Sequence, residues 1–434
     1  MPLMTTLFRR LENIPLLGNL AIERYELDNG LHVAIVVDST TPIFTYQTWF
    51  KVGSADEQPG RQGLAHLFEH MMFRQTSRRA MGEFERIVNQ NGGTGINAYT
   101  SRDQTVYFFT FPTEKLELAV DLESDRMKNL LIEDTMFETE KGAVLTEKNR
   151  GLDDPNRLLW DTLYEHAYQK HNYRYSTIGT VESIESFTPE EARQFYSSYY
   201  SPDNSLIIIV GDVKPELALR SIAAHYGVIR PSGAVKQPRD GEAQQRERRE
   251  TTITHPKATR RMIAKAWHIP NLTHADYPAL ATVGRLLTSG KSAVLNQRIL
   301  NTAKATELFA DVFISRDCGT FELFVQPSDG EEFEDIEKIF FEAATELADG
   351  KISGDQLLIV KNSLQKEMYR AIAAPAQLAR LIGDGFIFAD DPASRIRAIE
   401  KIEGVTKKEI ERVVGTYILE AKETTVKLIP HKVE

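Results

Sequence analysis

Cysteine is almost absent from this chain: Cys318 stands alone among 434 residues. One cysteine excludes an internal disulfide framework and a cysteine-built metal site. It precedes a strand-like run, Phe321 to Val325, and reads as a small core or turn residue. No apolar run approaches the roughly 18 residues that a membrane-spanning helix needs. The opening residues lack the shape of a secretory signal, because Arg9 and Arg10 follow Leu7 and Phe8 and no long apolar stretch comes after them. A cytoplasmic location is expected, or a periplasmic one if a signal preceded this numbering. A basic excess is missing too. The formal net charge is −10, which argues against nucleic acid as a partner. Neither a membrane nor a nucleic acid is expected to bind.

What is present alternates between strand and helix patterns. Residues 22–28 alternate like a strand, Asn29-Gly30 supplies a hairpin turn, and Leu31 to Val37 returns. Phe44 to Val52 reads as a third strand. Apolar residues at Leu64, Leu67, Phe68, Met71 and Met72 then take helical spacing. Further helices are expected near 80–91, 114–131, 134–152 and 189–198, and strands near 95–100, 104–111 and 204–211. The polar segment 231–250, rich in glycine, proline and mixed charge, reads as a linker. After it, strands are expected at 262–267, 306–315 and 320–326, and helices at 276–288, 332–348 and 354–371. The fold class is therefore α+β, with two similar domains, each a mostly antiparallel sheet packed with helices. The expected division is an N-terminal extension (1–20), a first domain (21–230), the linker (231–250) and a second domain (251–434). Similar element order suggests an internal duplication, with no repeat visible residue by residue.

Residues 66–70 read His-Leu-Phe-Glu-His. On a helix, His66 and His70 project from one face about 6 Å apart, a workable bite for one metal ion. Glu69 lies beside that face, where it can hold a water without being a ligand. A catalytic zinc takes three protein ligands, so two imidazoles are not enough. Glu147, on the expected 134–152 helix, is a candidate third ligand. Glu140 sits two turns earlier on nearly the same stripe and can orient a histidine. The glycine-rich turn Asn91 to Gly95 leads into a strand and does not open a helix, so it is no phosphate cradle.

Several segments in order, LDNGLHVAIV (27–36), KVGSADE (51–57), GLAHLFEHMMF (63–73), NAYTSRDQTVYF (97–108), FETEKGAVLTE (137–147) and IIIVGDV (207–213), carry a likeness. The sequence resembles the pitrilysin-type (inverzincin, H-x-x-E-H) zinc metallopeptidases, in particular their short bacterial branch and the mitochondrial processing peptidase. That family's third ligand lies 77 positions after the second histidine, which here is Glu147. The resemblance implies one zinc per chain on His66, His70 and Glu147, with Glu69 as general base and Glu140 as the orienting carboxylate. It also implies that Asn97, Ala98, Tyr99 and Thr100 belong to a strand that pairs with an extended peptide substrate.

One departure stands out. Relatives that act alone or as homodimers carry an arginine and a tyrosine seven residues apart in the second half. Here the matching segment begins at Ser292, and Leu300 and Glu307 fall at those positions. Arg298 is nearby, but the residue seven after it is Ala305. The expectation is a heterodimer, in which this chain brings zinc and a related zinc-free subunit brings the arginine and tyrosine. A self-sufficient homodimeric peptidase and a structural subunit with a vestigial metal site are the alternatives. The natural substrate is not legible here.

Overall fold

The computed structural model describes residues 8–234, 236 and 238–431. Residues 1–7 of the expected N-terminal extension, 235 and 237 of the expected linker, and 432–434 of the expected second domain lie outside the described residues. The chain forms two compact units. The first runs to Lys148, resumes over Ser176–Arg239 and takes in Ala371–Ile387; the second comprises Asn149–Tyr175, Asp240–Arg370 and the chain from Phe388 onward.

The first unit is built on a sheet of eight strands: β1 (Phe8–Arg10), β2 (Ile14–Pro15), β3 (Ala21–Leu27), β4 (His32–Val37), β5 (Ile43–Phe50), β6 (Thr94–Thr100), β7 (Thr105–Pro112) and β8 (Ser205–Gly211). Their order is β1-β3-β4-β8-β5-β7-β6, with β2 paired to β3. Part of the expected N-terminal extension thus adds two short strands to the sheet. The expected Asn29-Gly30 turn joins β3 to β4, with Gly30 at φ 84° and the Leu27 N–H donating to the Leu31 carbonyl at 2.9 Å. All pairings are antiparallel except β4 with β8.

The register explains the composition. Tyr46 lies between Phe109 on β7 and Ile209 on β8, and this face carries the core with Phe50, Tyr107, Phe111 and Ile207. Helices α1 (Leu64–Met71), α2 (Glu83–Gln90), α3 (Leu116–Asn129) and α4 (Asp134–Gly151) follow in chain order, and Leu67 and Phe68 of α1, Phe84 of α2, Leu122 of α3 and Val144 of α4 join that core. The opposite face is covered as well. Gln47 donates to the Ala376 carbonyl at 3.1 Å, and the Trp49 indole sits against Gly383 of the helix Pro375–Ala389, where a Cβ would lie 2.1 Å from the ring. With both faces covered, β8 is buried along its whole length, which is why it reads as an unbroken apolar run.

The second unit repeats this plan. Its strands are β9 (Arg249–His255), β10 (Met262–Ile269), β11 (Ala305–Phe313), β12 (Gly319–Pro327) and β13 (Thr424–Pro430), in the order β11-β12-β10-β13-β9. Numbered within each unit from β4 and from β9, both sheets run first-fifth-second-fourth-third. In both, the first and fifth strands are parallel and the remaining pairs antiparallel. The duplication also leaves a residue-level trace that the reading by pattern misses: Ser101-Arg102-Asp103 turns from β6 to β7, and Ser315-Arg316-Asp317 from β11 to β12.

The units depart from a simple split along the chain. Helix Pro155–Ala167 belongs to the second unit, and residues 371–387 belong to the first. Apolar complementarity is the cause. Trp160 stacks on Phe309 of β11 and Phe324 of β12 at centroid distances of 5.7 and 6.0 Å, and the helix lies along β10 and β13 of the same sheet. The expected linker is not free either. Asp203 accepts the backbone N–H of Ser232 and Gly233. Glu242 accepts those of Gln169, Lys170 and His171, and β9 begins at Arg249. Replacing Trp160 by Ala is expected to destabilise the second unit by about 2 kcal/mol. Hydrogen exchange should then quicken in β11 and β12, with β5 and β8 unchanged; faster exchange in β5 and β8 instead would contradict the assignment.

Candidate metal centre

Eight residues is too short for a helix to hold its shape alone, so α1 depends on its surroundings. Leu64, Ala65, Leu67, Phe68 and Met71 are buried, and His66, Glu69 and His70 form the one half-buried stripe, spaced by three and four residues. The Tyr107 hydroxyl donates to the Phe68 carbonyl at 2.9 Å. At the amino end, Gly63 is in the left-handed region at φ 107° and gives no side-chain cap. The cap comes instead from Glu57, buried, whose two oxygens accept the N–H of Gly63 at 2.8 Å and of Ala65 at 2.7 Å. Burial pushes the Glu57 carboxyl up, and those N–H donors work against it. An uncapped N–H at such a buried end would cost roughly 1–3 kcal/mol.

Helix α4 brings the third donor. Phe137, Glu140 and Val144 are buried on one row, and Glu147 continues that row at half exposure. Glu147 Oε2 lies 3.7 Å from His66 Nε2 and 3.4 Å from His70 Nε2. Ligand atoms of the three residues all fall within 4.8 Å of one another. Bonds of about 2.0–2.1 Å in a tetrahedron put donors roughly 3.3 Å apart, so the spacing suits a zinc ion after a small contraction. The chemistry also suits it, since two imidazoles and a carboxylate are a known catalytic donor set. Among the described residues, no second group of three such donors forms.

The flanking carboxylates divide by environment. Glu140 is buried and clasped by Arg74, with Nε 2.8 Å from Oε1 and an Nη2 hydrogen bond of 2.9 Å to Oε2. That oxygen lies 3.9 Å from His70 Nδ1, beyond direct hydrogen-bonding distance but facing the ring. Glu69 accepts a hydrogen bond from the Thr100 hydroxyl at 2.7 Å. Burial raises its pKa above the ordinary 4.5, with the Thr100 hydroxyl and His70 opposing.

Thr100 ends β6, which pairs only with β7 among the described residues and leaves its other edge open. Ala98 is buried and shares Thr100's face toward α1, whereas Asn97 is exposed. Tyr99 turns to the other face of the sheet, edge-on to Trp49 at 6.2 Å, with the Arg380 guanidinium 5.6 Å from its ring centre. The structure therefore gathers His66, His70, Glu147, Glu140, Glu69 and Thr100, while Asn97 and Tyr99 lie along the strand without reaching the donors. In the second unit, Leu300 packs against the core, Glu307 is exposed on β11, and Arg298 is paired to Glu346 at 2.6 Å. Sequence reasoning missed Glu57 and Arg74. An acid shortly before a helix start was the available signal for Glu57; nothing local singled out Arg74.

Residues 32–181 match the family model described as insulinase, peptidase family M16, and residues 186–364 match that of the M16 inactive domain. The chain is 26% identical over 419 residues to the zinc protease PqqE of Helicobacter pylori, covering 94% of this chain and 93% of that protein. It is 23% identical over 404 residues to the beta subunit of the mitochondrial-processing peptidase of Blastocladiella emersonii, covering 90% and 85%. Among solved structures, a protease from Helicobacter pylori matches with a TM-score of 0.90 at 25% identity, over 94% of this chain and 99% of that one. An M16 inactive-domain structure from Pseudomonas fluorescens shares the fold, with a TM-score of 0.85 at 17% identity over 95% and 98%.

Replacing Glu147 by Gln is expected to abolish stoichiometric zinc binding, read by metal analysis after gel filtration. Glu140→Gln should keep the metal but weaken it roughly ten- to a hundredfold. Unchanged zinc affinity in Glu147→Gln would exclude Glu147 as a ligand.

Proposed function

This chain belongs to the insulinase-type (pitrilysin-type) M16 family of zinc proteases, and from that premise we propose that it is the zinc-bearing subunit of a metalloendopeptidase. The observation that carries the reading is the convergence of His66, His70 and Glu147 beside a carboxylate that is not needed as a ligand, Glu69. One zinc per chain would be held by those three side chains. Bound there, zinc would supply Lewis acidity toward a peptide carbonyl and toward water.

The rest is done by this chain's own residues. Glu69, its carboxyl raised by burial and steadied by Thr100, takes the proton from the attacking water and returns it to the leaving amine. Glu140, fixed by Arg74, sets the orientation of His70. The open edge of β6 receives an extended peptide through main-chain hydrogen bonds at Asn97, Ala98, Tyr99 and Thr100, a mode that reads extension more than side-chain identity. The first unit is the catalytic one; the second, which carries no such donor group among its described residues, serves substrate binding and assembly. The description of the matching model as an inactive domain supports that division.

A related zinc-free partner completes the site. Two observations favour it: Leu300 and Glu307 stand where self-sufficient relatives have arginine and tyrosine, and several relatives are named as the beta subunit of a peptidase. Arg298, engaged by Glu346, is not placed as a substitute.

Glu69→Gln tests the chemistry. Assayed with any subunit that copurifies, it should lose cleavage by roughly a hundred- to ten-thousandfold while retaining zinc. Turnover equal to the parent's would remove Glu69 from the mechanism and favour a structural subunit. The chain freed of every second polypeptide should show little peptidase activity, and robust turnover by such a sample would point to a homodimer instead.

A further inference from the structure

The segment that joins the two halves contributes a buried cation to the first unit. Arg239, within a stretch whose sequence reads as linker, has a side chain only 11% exposed. Its guanidinium grips Asp56 in a fork, with Nε to Oδ1 at 3.0 Å and Nη2 to Oδ2 at 2.9 Å, and reaches Asp103 Oδ1 with Nη1 at 2.5 Å. Asp103 is buried and Asp56 nearly so.

The two carboxylates belong to the two loops that flank the candidate centre. Asp56 precedes Glu57, the cap of α1, and accepts the Gly53 N–H at 3.0 Å. Asp103 lies in the turn just after β6, three residues beyond Thr100, which donates to Glu69. Two backbone hydrogen bonds tie the same loops, Ser54 N–H to the Ser101 carbonyl at 3.1 Å and Ala55 N–H to the Arg102 carbonyl at 2.8 Å. Without Arg239, two buried carboxylates across that seam repel each other. Burial pushes the Asp56 carboxyl up, and Arg239 is the main group opposing it.

We propose that Arg239 is a positioning residue for the peptidase site: it seals the turn that ends β6 to the loop that leads into α1, and so keeps Thr100 within hydrogen-bonding distance of Glu69. The inference rests on the proposed peptidase function. Arg239 touches neither metal donors nor the reacting atoms in this account. Its effect passes through the 53–57 and 101–104 loops. An arginine is required because a fork must satisfy one carboxylate while a third N–H reaches another, which a lysine ammonium cannot reproduce.

The test uses the full chain with any copurifying subunit, zinc-loaded, and an internally quenched peptide pool as substrate. Three proteins are compared: the parent, Arg239→Gln, and the double variant Arg239→Gln with Asp103→Asn, which removes one stranded carboxylate and restores stability. Melting temperature, zinc content, kcat, KM and hydrogen exchange at residues 100–104 are read for each. Both variants should retain one zinc, exchange faster at 100–104, and lose kcat by roughly ten- to a hundredfold, with the double variant melting near the parent. A double variant that regains both melting temperature and kcat would show a purely structural role and overturn the proposal, as would unchanged exchange at 100–104. A parent complex that cleaves nothing would overturn the peptidase reading and this inference with it; a cleaving parent whose double variant keeps its kcat overturns the positioning role alone.

Discussion

The candidate centre depends on one buried carboxylate holding the end of one short helix. Helix α1 carries two of the three candidate metal donors and the proposed general base, yet it has no side-chain cap of its own, and Gly63 enters it in a left-handed conformation. Glu57 satisfies its first N–H groups from six and eight residues away. Gly63 cannot be exchanged freely for a larger residue, because a Cβ there would meet the Ile178 carbonyl oxygen at 2.5 Å. With that end fixed and the apolar faces sunk into the sheet, the stripe His66, Glu69, His70 has one orientation available. Glu147 then arrives from α4 because Phe137, Glu140 and Val144 bury the row on which it lies. The candidate donors converge as a consequence of packing.

How much of this could be read from the chain alone follows the range of each interaction. The His-x-x-Glu-His stripe, the Asn29-Gly30 hairpin and α4 are local matters of spacing and backbone preference, and they appear in the structure where the pattern places them. Glu147 is a candidate on the 134–152 helix, and the family likeness, at 77 positions after His70, ties it to the histidines, since no local rule links a residue on α4 to a histidine on α1. Glu140 taken alone looks like an ordinary helix glutamate and stands out only by sharing a stripe with Glu147; its burial and its clasp by Arg74 depend on tertiary packing. The helices at 155–167 and 375–389 were not read from the pattern. Even a helix correctly read would not announce which sheet it covers. Trp160 and Gly383 decide that through shape, against surfaces far away in sequence. Arg239 is the clearest case: polar, flanked by proline and glycine, it reads as solvent-exposed linker, and only the folded chain reveals two aspartates waiting for it.

The duplication gives these details a common frame. Both sheets share one strand order and one parallel pair, and both place a Ser-Arg-Asp turn after the third strand. In each unit the aspartate of that turn meets a side chain from a connecting segment: Arg239 at Asp103, and His171 at Asp317, with His171 Nε2 3.0 Å from the carboxylate. Each turn is thus tied to a segment outside its sheet, by a different side chain in each unit. The donor set is found in the first, and the counterpart region of the second offers apolar packing at Leu300 and a surface acid at Glu307. One copy for chemistry and one for binding is the division of labour that the proposed heterodimer would use.

Native mass spectrometry of the protein isolated from its own cells tests the central claim most directly, because it reads bound metal and subunit composition together. The account predicts one zinc on this chain and a one-to-one complex with a second, zinc-free chain of similar size. A chain isolated without any metal, under conditions that preserve its fold, would contradict the zinc-bearing role assigned to His66, His70 and Glu147.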